Sequence, residues 1–426
     1  MEILIRSAKI LDPSSPFHQQ TTNLFIKNGI IEAINEVPAS AALEMDADGA
    51  ILSPGWFDLR VSFGDPGLEH KEDIDSGCKV AAAGGFTEVA VLPNTQPVLH
   101  SKNEISYLQS RNVFNLTQVH PLGAVTKDNA GKELTEMIDL RKAGAVAFTD
   151  GTEPIWHTDI FVKALLYLQK FNGLLINRPE DKHLTNFAGM NEGIFSTQLG
   201  MRGMPSIAEE LMIARDLRLL RYTGGRLHFA GLSTAKSVEM VREAKEEGLQ
   251  VSCDVAVHQL VFDHSLLQDF DANFKVNPPF RSDDDIKALL QGLADDTIDV
   301  IVSDHQPHEE ECKKLEFDQA AFGIIGLQTL LPLINRVASE IPIEKFLEKV
   351  TRTPRELLDL PIPEIKEGNE ANLTLFDPDR VWTFDQSTNL SKSSNSPLLG
   401  TELKGKVMAV FNRGKHWMDQ SEPVAN

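Results

Sequence analysis

Residues 55–67 read Gly55-Trp56-Phe57-Asp58-Leu59-Arg60-Val61-Ser62-Phe63-Gly64-Asp65-Pro66-Gly67. In this segment, residues 56–63 are an apolar run with interspersed polar side chains, and they predict a β-strand. Similar runs alternate with longer helical stretches along the chain, at residues 87–94, 119–125, 145–150, 174–177, 226–232, 251–258 and 299–305. Eight strands, each followed by a connecting segment, predict an α/β fold of the (β/α)8 barrel type. In such a barrel the chemistry lies at the carboxyl ends of the strands.

Both ends of the chain predict strands of a second, smaller domain. Residues 23–34 carry an apolar pattern around an Asn28-Gly29 hairpin signal, and residues 371–377 and 405–414 carry similar patterns. We therefore predict a discontinuous β domain from residues 1–50 plus 365–426. The barrel is then expected to span residues 51–364.

One helix boundary has a clear local signal. Ser206 is followed three residues later by Glu209, which predicts a capping box at the start of a helix. The apolar pattern continues to Thr223, and Gly224-Gly225 predicts the end of that helix.

Composition limits the classes of partner. The 426 residues include 41 Lys plus Arg and 62 Asp plus Glu, a formal net charge of −21, which disfavours nucleic acid and anionic membranes as partners. The N-terminal residues lack a secretory pattern, and no apolar run approaches the roughly 20 residues of a membrane span. The three cysteines, Cys78, Cys253 and Cys312, form no CxxC pair, as is usual in a reducing compartment. We expect a cytoplasmic protein.

Several longer motifs support a family resemblance. They are Gly64-Asp65-Pro66-Gly67, Glu69-His70-Lys71-Glu72-Asp73, Ala81-Ala82-Ala83-Gly84-Gly85-Phe86-Thr87, Pro93-Asn94-Thr95-Gln96-Pro97, Phe274-Lys275-Val276-Asn277-Pro278-Pro279, Ser303-Asp304-His305-Gln306-Pro307-His308 and Phe322-Gly323-Ile324-Ile325-Gly326-Leu327. With these motifs the whole chain resembles the dihydroorotases of the amidohydrolase superfamily, and most closely the type found in multifunctional pyrimidine-synthesis assemblies. The resemblance implies a TIM-like barrel of the amidohydrolase type with a small β-sandwich domain built from both chain ends.

The same resemblance implies a zinc site, but the matching residues differ from the family's histidines. The first strand of the family continues after Asp-Leu as His-x-His-Leu-Arg-x-Pro-Gly, and the chain has Arg60 and Ser62 at the two histidine positions. Asn177 and Gly231 stand at the ligand positions after the fifth and sixth strands. A lone aspartate cannot hold zinc usefully. We therefore expect no cofactor, with zinc only if the protein is an atypical active enzyme.

Two aspartates bear on the degenerate centre. Asp304 matches the family's eighth-strand carboxylate and is expected to be a vestigial catalytic residue that pairs with Arg60. The fourth-strand motif keeps a single aspartate, Asp150, where the family has two. His228 and His258 do not rebuild a metal site, and the nearest histidine pair is His305 with His308; a relocated metal site is the less favoured alternative.

Five positions still match substrate-binding residues of the family: Asn94, Asn277, His308, Phe322 and Gly323. Each has a structural alternative, because asparagines after strands often cap helices or fix turns, and a histidine in such a loop is often satisfied locally. The arginine expected to hold the substrate carboxylate is replaced by Gly64, which removes a strong charge-assisted contact.

Three functional hypotheses follow. The first is a non-catalytic dihydroorotase-like protein that acts as a structural or regulatory partner of aspartate transcarbamoylase, or that pairs with a second copy of itself. The second is an active dihydroorotase, or a related cyclic amidohydrolase, with an atypical site. The third is a sensor for a pyrimidine-like small molecule.

Overall fold

The structure is a computed structural model and describes residues 2–419. Residue 1 and residues 420–426, which the predicted domain limits include, lie outside the described residues. In chain order the strands are β1 Glu2–Ile10, β2 Thr21–Lys27, β3 Ile30–Ile34, β4 Leu43–Asp46, β5 Ile51–Pro54, β6 Trp56–Val61, β7 Phe86–Val91, β8 Gln118–Pro121, β9 Leu174–Asn177, β10 Met190–Asn191, β11 Gly203–Met204, β12 Arg226–Phe229, β13 Val251–Ala256, β14 Val300–Val302, β15 Leu373–Phe384, β16 Thr401–Asn412 and β17 Lys415–Met418.

Helices fill most of the connections between the barrel strands. They are α1 Ile74–Ala83, α2 Lys102–Arg111, α3 Met137–Ala143, α4 Thr158–Leu168, α5 Lys182–Thr185, α6 Ile194–Gln198, α7 Ile207–Thr223, α8 Ala235–Glu246, α9 Asp283–Ala294, α10 Glu310–Lys313, α11 Leu330–Asn335 and α12 Ile343–Leu357. Short 3₁₀ turns lie at Lys127–Asn129, Gln169–Phe171, Val257–Leu260, His264–Asp269, Ala272–Phe274 and Leu327–Thr329. Within residues 2–419, none of the helices combines the length and the apolar character that a membrane span requires.

The predicted barrel is confirmed. Strands β6, β7 and β8 pair in parallel, and so do β9, β12, β13 and β14. Phe148 joins the two sets by parallel bridges to Gly123 and Leu175, so the predicted fourth strand pairs through this single residue. A bridge between Val61 and His305 closes the ring between the first and the eighth strands. Closure brings the carboxyl ends of β6 and β14 together.

The two ends of the chain form one sheet in the order β17-β16-β15-β5-β1-β2-β3, with β4 beside β1. This sheet is the predicted β-sandwich domain, and its core includes Ile5, Leu24 and Phe411. The Asn28-Gly29 hairpin joins β2 to β3 as predicted. The barrel was predicted to begin at residue 51. Strand β5 instead pairs with β1 and with β15, so residues 51–54 belong to the terminal sheet. The other domain limits remain a proposal.

The long helix α7 begins and ends where the sequence predicts, but its predicted capping box is wrong. The Ser206 side chain makes no capping hydrogen bond. Glu209 instead accepts hydrogen bonds from the backbone N–H groups of Ser233 (3.0 Å) and Thr234 (3.2 Å), and from the Ser233 hydroxyl. A carboxylate that satisfies several donors in the loop after β12 gains more than one that caps its own helix. Glu209 therefore positions that loop at the barrel mouth.

Candidate functional site

The centre of the barrel mouth is occupied by the Arg60 guanidinium. Arg60 lies at the end of β6 and is only 6% exposed. Its Nη1 donates to Asp304 Oδ1 at 2.5 Å, and its Nη2 donates to Asp254 Oδ1 at 2.9 Å. The predicted ion pair between Arg60 and Asp304 is therefore confirmed. Its position follows from barrel closure, which places the residues after β6 and β14 side by side.

Asp254 is a central residue that the sequence reasoning missed. It lies within β13, where it is the carboxylate in an otherwise apolar and small-residue strand, and this was the available signal. Its Oδ1 also accepts from the Gly231 backbone N–H at 2.9 Å, and its Oδ2 lies 3.1 Å from His228 Nε2. His228 Nδ1 is 2.8 Å from the Ser252 hydroxyl. Asp254 thus links the loop after β12 to the buried arginine.

The electrostatics of the cluster favour a charged arginine. Burial lowers the pKa of Arg60, but the charges of Asp254 and Asp304 raise the pKa by more than burial lowers it, so the guanidinium stays protonated. Burial raises the pKa of Asp254, but Arg60 and His228 outweigh that effect and hold the pKa below its usual value. Asp58, two residues before Arg60 in β6, accepts hydrogen bonds from the backbone N–H groups of Arg60 and Ser303. Burial nevertheless raises the pKa of Asp58 to about 6.

The other matched ligand positions are engaged locally. Gly231 has φ +76°, and a Cβ there would lie 3.3 Å from Arg60 Nη2, so the missing side chain leaves room for the guanidinium. Asn177 Nδ2 donates to Asp216 Oδ2 at 2.6 Å, and its Oδ1 accepts from the Ile155 N–H at 2.9 Å. The half-buried Ser62 donates its backbone N–H to His305 O at 2.9 Å.

These residues do not fit a zinc ion. Zinc prefers thiolate, imidazole and carboxylate ligands in a tetrahedral shell. Asp254 and Asp304 are the carboxylates nearest to Arg60, and both already accept hydrogen bonds from its guanidinium. A divalent cation there would meet a fixed positive charge within a few ångströms, in a region shielded from water. No catalytic step through a metal can be derived from this arrangement.

Asp150, the lone aspartate of the fourth strand, serves the neighbouring loop. Its two carboxylate oxygens accept from the Thr126 N–H at 2.8 Å and from the Thr126 hydroxyl at 2.6 Å. Burial raises the pKa of Asp150 to about 6. Asp304 Oδ1 accepts from Gln306 Nε2 at 2.8 Å in addition to Arg60.

The two asparagines expected at the substrate hold backbone and side chains of the mouth. Asn94 Nδ2 donates to Asp150 O, and its Oδ1 accepts from the Thr152 N–H, both at 3.1 Å. Asn277 Nδ2 donates to Glu180 Oε2 at 3.0 Å. A Cβ at Gly64 would lie 2.1 Å from Leu68 O, so this position has no room for the arginine of the family. Substrate binding by Asn94 and Asn277 remains a prediction.

The remaining predicted substrate residues meet at one side of the mouth. His308 Nε2 donates to Phe322 O at 2.8 Å. Gly323 donates its N–H to Lys275 O at 2.9 Å, and Lys275 Nζ lies 4.6 Å from the centre of the Phe322 ring. The three residues are thus brought together, with their polar groups directed to each other and to the lysine. Contact with a substrate is again untested.

Little space remains where these loops converge. A cavity of about 20 Å³ is lined by Arg178, Gly231, Asn277, Pro278 and Arg281, among others. That volume corresponds to roughly one water molecule. Arg178 pairs with Glu180 at 3.2 Å and helps to close the opening. A pyrimidine ring does not fit this cavity without movement of the loops.

Family models match this chain in two overlapping parts. The model described as dihydro-orotase-like matches residues 49–237, and the model of the amidohydrolase family matches residues 180–416. Among solved structures, the L-hydantoinase (dihydropyrimidinase) from Arthrobacter aurescens is similar in fold, with a TM-score of 0.85 over 100% of this chain and 97% of that one. A dihydropyrimidinase from Brevibacillus agri gives a TM-score of 0.82. Sequence identities of 21% and 20% mean that these two likenesses concern the fold.

Closer relatives cover almost the whole chain. A dihydroorotase of Syntrophotalea carbinolica is 38% identical over 418 residues, which are 97% of this chain and 98% of the relative. A dihydroorotase of Pelotomaculum thermopropionicum is 38% identical over 419 residues, again 97% of this chain and 98% of the relative. Identity at this level over the full length, together with the barrel and the terminal β-sandwich, places the chain in the dihydroorotase family of the amidohydrolase superfamily.

Proposed function

We propose that this chain is a non-catalytic member of the dihydroorotase family, which serves pyrimidine biosynthesis as a structural or regulatory partner of another protein. The observation that supports the proposal is the position of the Arg60 guanidinium between Asp254 and Asp304. An arginine in this place supplies the positive charge that the two carboxylates require. It does so without the open coordination position that a hydrolytic metal needs.

The chemistry of amide hydrolysis explains why this exchange favours loss of activity. When bound, the zinc of the family supplies a nucleophile at neutral pH and polarises the substrate carbonyl. A guanidinium does not coordinate water, so the pKa of a water molecule beside Arg60 stays near its bulk value. Oδ1 of Asp304 already accepts hydrogen bonds from Arg60 and Gln306. The altered centre therefore supports a protein whose fold is retained for a role other than catalysis.

The second candidate is an active dihydroorotase with an atypical site. It is favoured by the comparisons, because the relatives that are 38% identical over nearly the whole chain carry that name. The comparisons support this candidate more directly than a non-catalytic role, whereas the geometry around Arg60 favours the non-catalytic role. A pyrimidine sensor is the weakest candidate, because the cavity of about 20 Å³ has no room for the ring.

An activity assay separates the first two candidates. The purified chain would be assayed for cyclisation of carbamoyl aspartate and for hydrolysis of dihydroorotate, with and without added zinc, beside an active dihydroorotase. A metal-assisted site supplies many orders of magnitude of acceleration. A chain without such a site is therefore expected to show no turnover above the uncatalysed rate. Turnover that disappears in Asp304→Asn, measured on folded variant protein, would establish the active enzyme instead.

The partner is proposed to be aspartate transcarbamoylase, with a second copy of the chain as the alternative. The described barrel and β-sandwich are complete although the centre is degenerate, which favours selection for the folded body. The test is co-purification of the tagged chain with aspartate transcarbamoylase from its own cell, followed by light scattering of each protein alone and of the mixture. A stable complex should bury about 1,200 Å² or more. A monomer that forms no complex with that enzyme would contradict the proposal.

A further inference from the structure

A second group of ligand-type side chains lies away from Arg60, in the segment that follows β14. His308, Glu309 and Cys312 each offer one ligand atom, and these atoms lie within 4.8 Å of one another. Among residues 2–419, no other group of three or more His, Cys, Asp or Glu side chains brings its ligand atoms this close together. All three residues are half-buried. The sequence reasoning considered pairs of histidines only, and so it missed the spacing His308-Glu309-x-x-Cys312.

His308 is held in the form that a metal requires. Its Nε2 lies 2.8 Å from Phe322 O, and because a carbonyl oxygen can only accept, Nε2 carries the hydrogen. Nδ1 then keeps its lone pair as long as the ring is neutral. A histidine that binds a metal commonly donates its other N–H to a backbone carbonyl in this way.

Glu309 and Cys312 supply the two other groups. The Cys312 thiol donates to Glu309 Oε1 at 3.0 Å, so the sulfur and the carboxylate already face each other. Glu309 Oε2 is buried and has no hydrogen-bond partner. His70 Nε2 lies 3.7 Å from this oxygen, and the His70 side chain is exposed enough to move.

A positive charge is already present beside the cluster. Lys71 Nζ lies 3.4 Å from His308 Nδ1 and 4.0 Å from Glu309 Oε2. The ammonium thus lies beside two of the three candidate ligands. Its side chain is 23% exposed and can turn to solvent, so a more strongly bound cation can replace it.

We propose that His308, Glu309 and Cys312 bind a divalent cation of the zinc class, with His70 or water in the fourth position. Imidazole nitrogen, carboxylate oxygen and thiolate sulfur are the ligand types that zinc takes. The three ligand atoms lie within 4.8 Å of one another, and in a tetrahedral zinc site such atoms lie roughly 3.3–3.8 Å apart. Side-chain rotations that shorten these separations by at most about 1.5 Å therefore complete the geometry. Binding replaces the Cys312 proton, which is released to solvent. The bound ion would tie the 308–312 segment to the loop at Phe322.

The test is a cobalt titration of the full chain after removal of metals with a chelator. We expect one equivalent of Co²⁺ to bind with the near-ultraviolet charge-transfer absorption of a cobalt–thiolate bond, and zinc to displace it. Cys312→Ser should abolish that absorption, and Glu309→Gln should weaken binding at least about tenfold. Lys71→Gln should strengthen binding roughly two- to fivefold, because it removes the competing ammonium.

Two controls separate this site from the barrel centre and from general surface charge. Glu311→Gln removes the same charge from an exposed neighbour and should leave cobalt binding unchanged. Asp304→Asn should also leave it unchanged. Absence of the thiolate absorption, or its persistence in folded Cys312→Ser protein, would overturn the proposal. Loss of binding in Asp304→Asn alone would place the metal in the barrel centre and would also contradict the proposed non-catalytic function.

Discussion

Arg60 carries a permanent charge into a region that is almost closed to water, and two carboxylates neutralise it. Removing a charge from water costs several kcal/mol, and a partner in good geometry offsets that cost. The arrangement is therefore sensitive to the loss of any one member.

We expect Arg60→Met to lower the free energy of unfolding by about 3–5 kcal/mol near pH 7, because Asp254 and Asp304 would stay buried without their partner. Thermal unfolding followed by circular dichroism measures this loss. The double variant Arg60→Met/Asp304→Asn should recover part of the stability, since one unpaired charge is removed. A loss below about 1 kcal/mol would mean that water or another cation compensates the carboxylates.

His258 gives a pH dependence that can be tested. Burial lowers the pKa of His258 from 6.5 to about 4, with Asp304 and Arg60 acting in opposite directions. A base whose pKa is depressed in the folded state stabilises the fold above its unfolded pKa, and it loses that contribution as the pH falls toward the folded value. Between pH 6.5 and pH 4, the stability of the wild type should therefore fall by about 3 kcal/mol relative to His258→Gln.

Urea denaturation of both proteins at several pH values checks this prediction. The comparison with the variant is necessary because Asp58, Asp150 and Asp216, whose pKa values burial raises to about 6, act in the opposite direction. Parallel stability curves for the two proteins would contradict a neutral, buried His258.

At the scale of elements, the site is made by the segments that leave the barrel strands. Strand β6 brings Arg60, β13 brings Asp254, and the residues after β14 bring Asp304. The loop after β12 contributes backbone, because Gly231 lets the chain pass close to the guanidinium. Parallel strands of one barrel direct these segments to the same face, as the fold requires.

We expect Gly231→Ala to cost about 2–3 kcal/mol, more than the same change at Gly248. Both glycines have positive φ, +76° and +82°, so both substitutions strain the backbone by roughly 1 kcal/mol. A Cβ at Gly231 would in addition lie 3.3 Å from Arg60 Nη2, whereas at Gly248 it would meet nothing within 4 Å. Thermal melting of the two variants gives the difference. Equal losses would show that the guanidinium moves freely.

On the scale of the whole molecule, a buried charged group joins the barrel to the terminal sheet. Glu88 Oε1 of β7 accepts from Arg355 of α12 at 2.8 Å and from Asn372, just before β15, at 3.2 Å. Its Oε2 lies 2.7 Å from His120 Nε2. Asn412 of β16 also donates to Thr87 O at 2.9 Å. These contacts predict that the two parts unfold together.

Glu88→Gln should destabilise the whole protein by about 3 kcal/mol at pH 7, because Arg355 would be left buried without its carboxylate. Burial raises the pKa of Glu88, but Arg355 and His120 outweigh it and hold the pKa at about 2. A carboxyl group with a depressed pKa stabilises the fold above its unfolded pKa and loses that contribution as the pH falls through the folded value.

The stability difference between wild type and Glu88→Gln should therefore shrink as the pH falls from about 4.5 toward 2. Calorimetry across this range measures it, with Glu36→Gln, a change at an exposed position, as the control. A constant difference, or a wild-type protein that melts in two separate transitions, would contradict this account of the junction.

Much of the fold could be predicted from short-range pattern alone. Seven of the eight predicted barrel strands, the Asn28-Gly29 hairpin and the ends of α7 depend on periodicity and on glycine at turns, which the sequence displays directly. The contact between Arg60 and Asp304 was also predictable, since closing an eight-stranded barrel makes the first and eighth strands neighbours. Local backbone preferences and the rules of barrel closure carry these predictions.

The choice of partners among the polar side chains depended on the tertiary structure. Arg60 and Asp254 are 194 residues apart, and no local signal indicates that Asp254 shares the guanidinium. The capping box expected at Ser206 failed because Glu209 met better donors in a distant loop. Grouping His308, Glu309 and Cys312 required the turn that brings their side chains together. Hydrogen bonds and ion pairs act over a few ångströms, so only the folded chain decides which of the many polar groups satisfy one another.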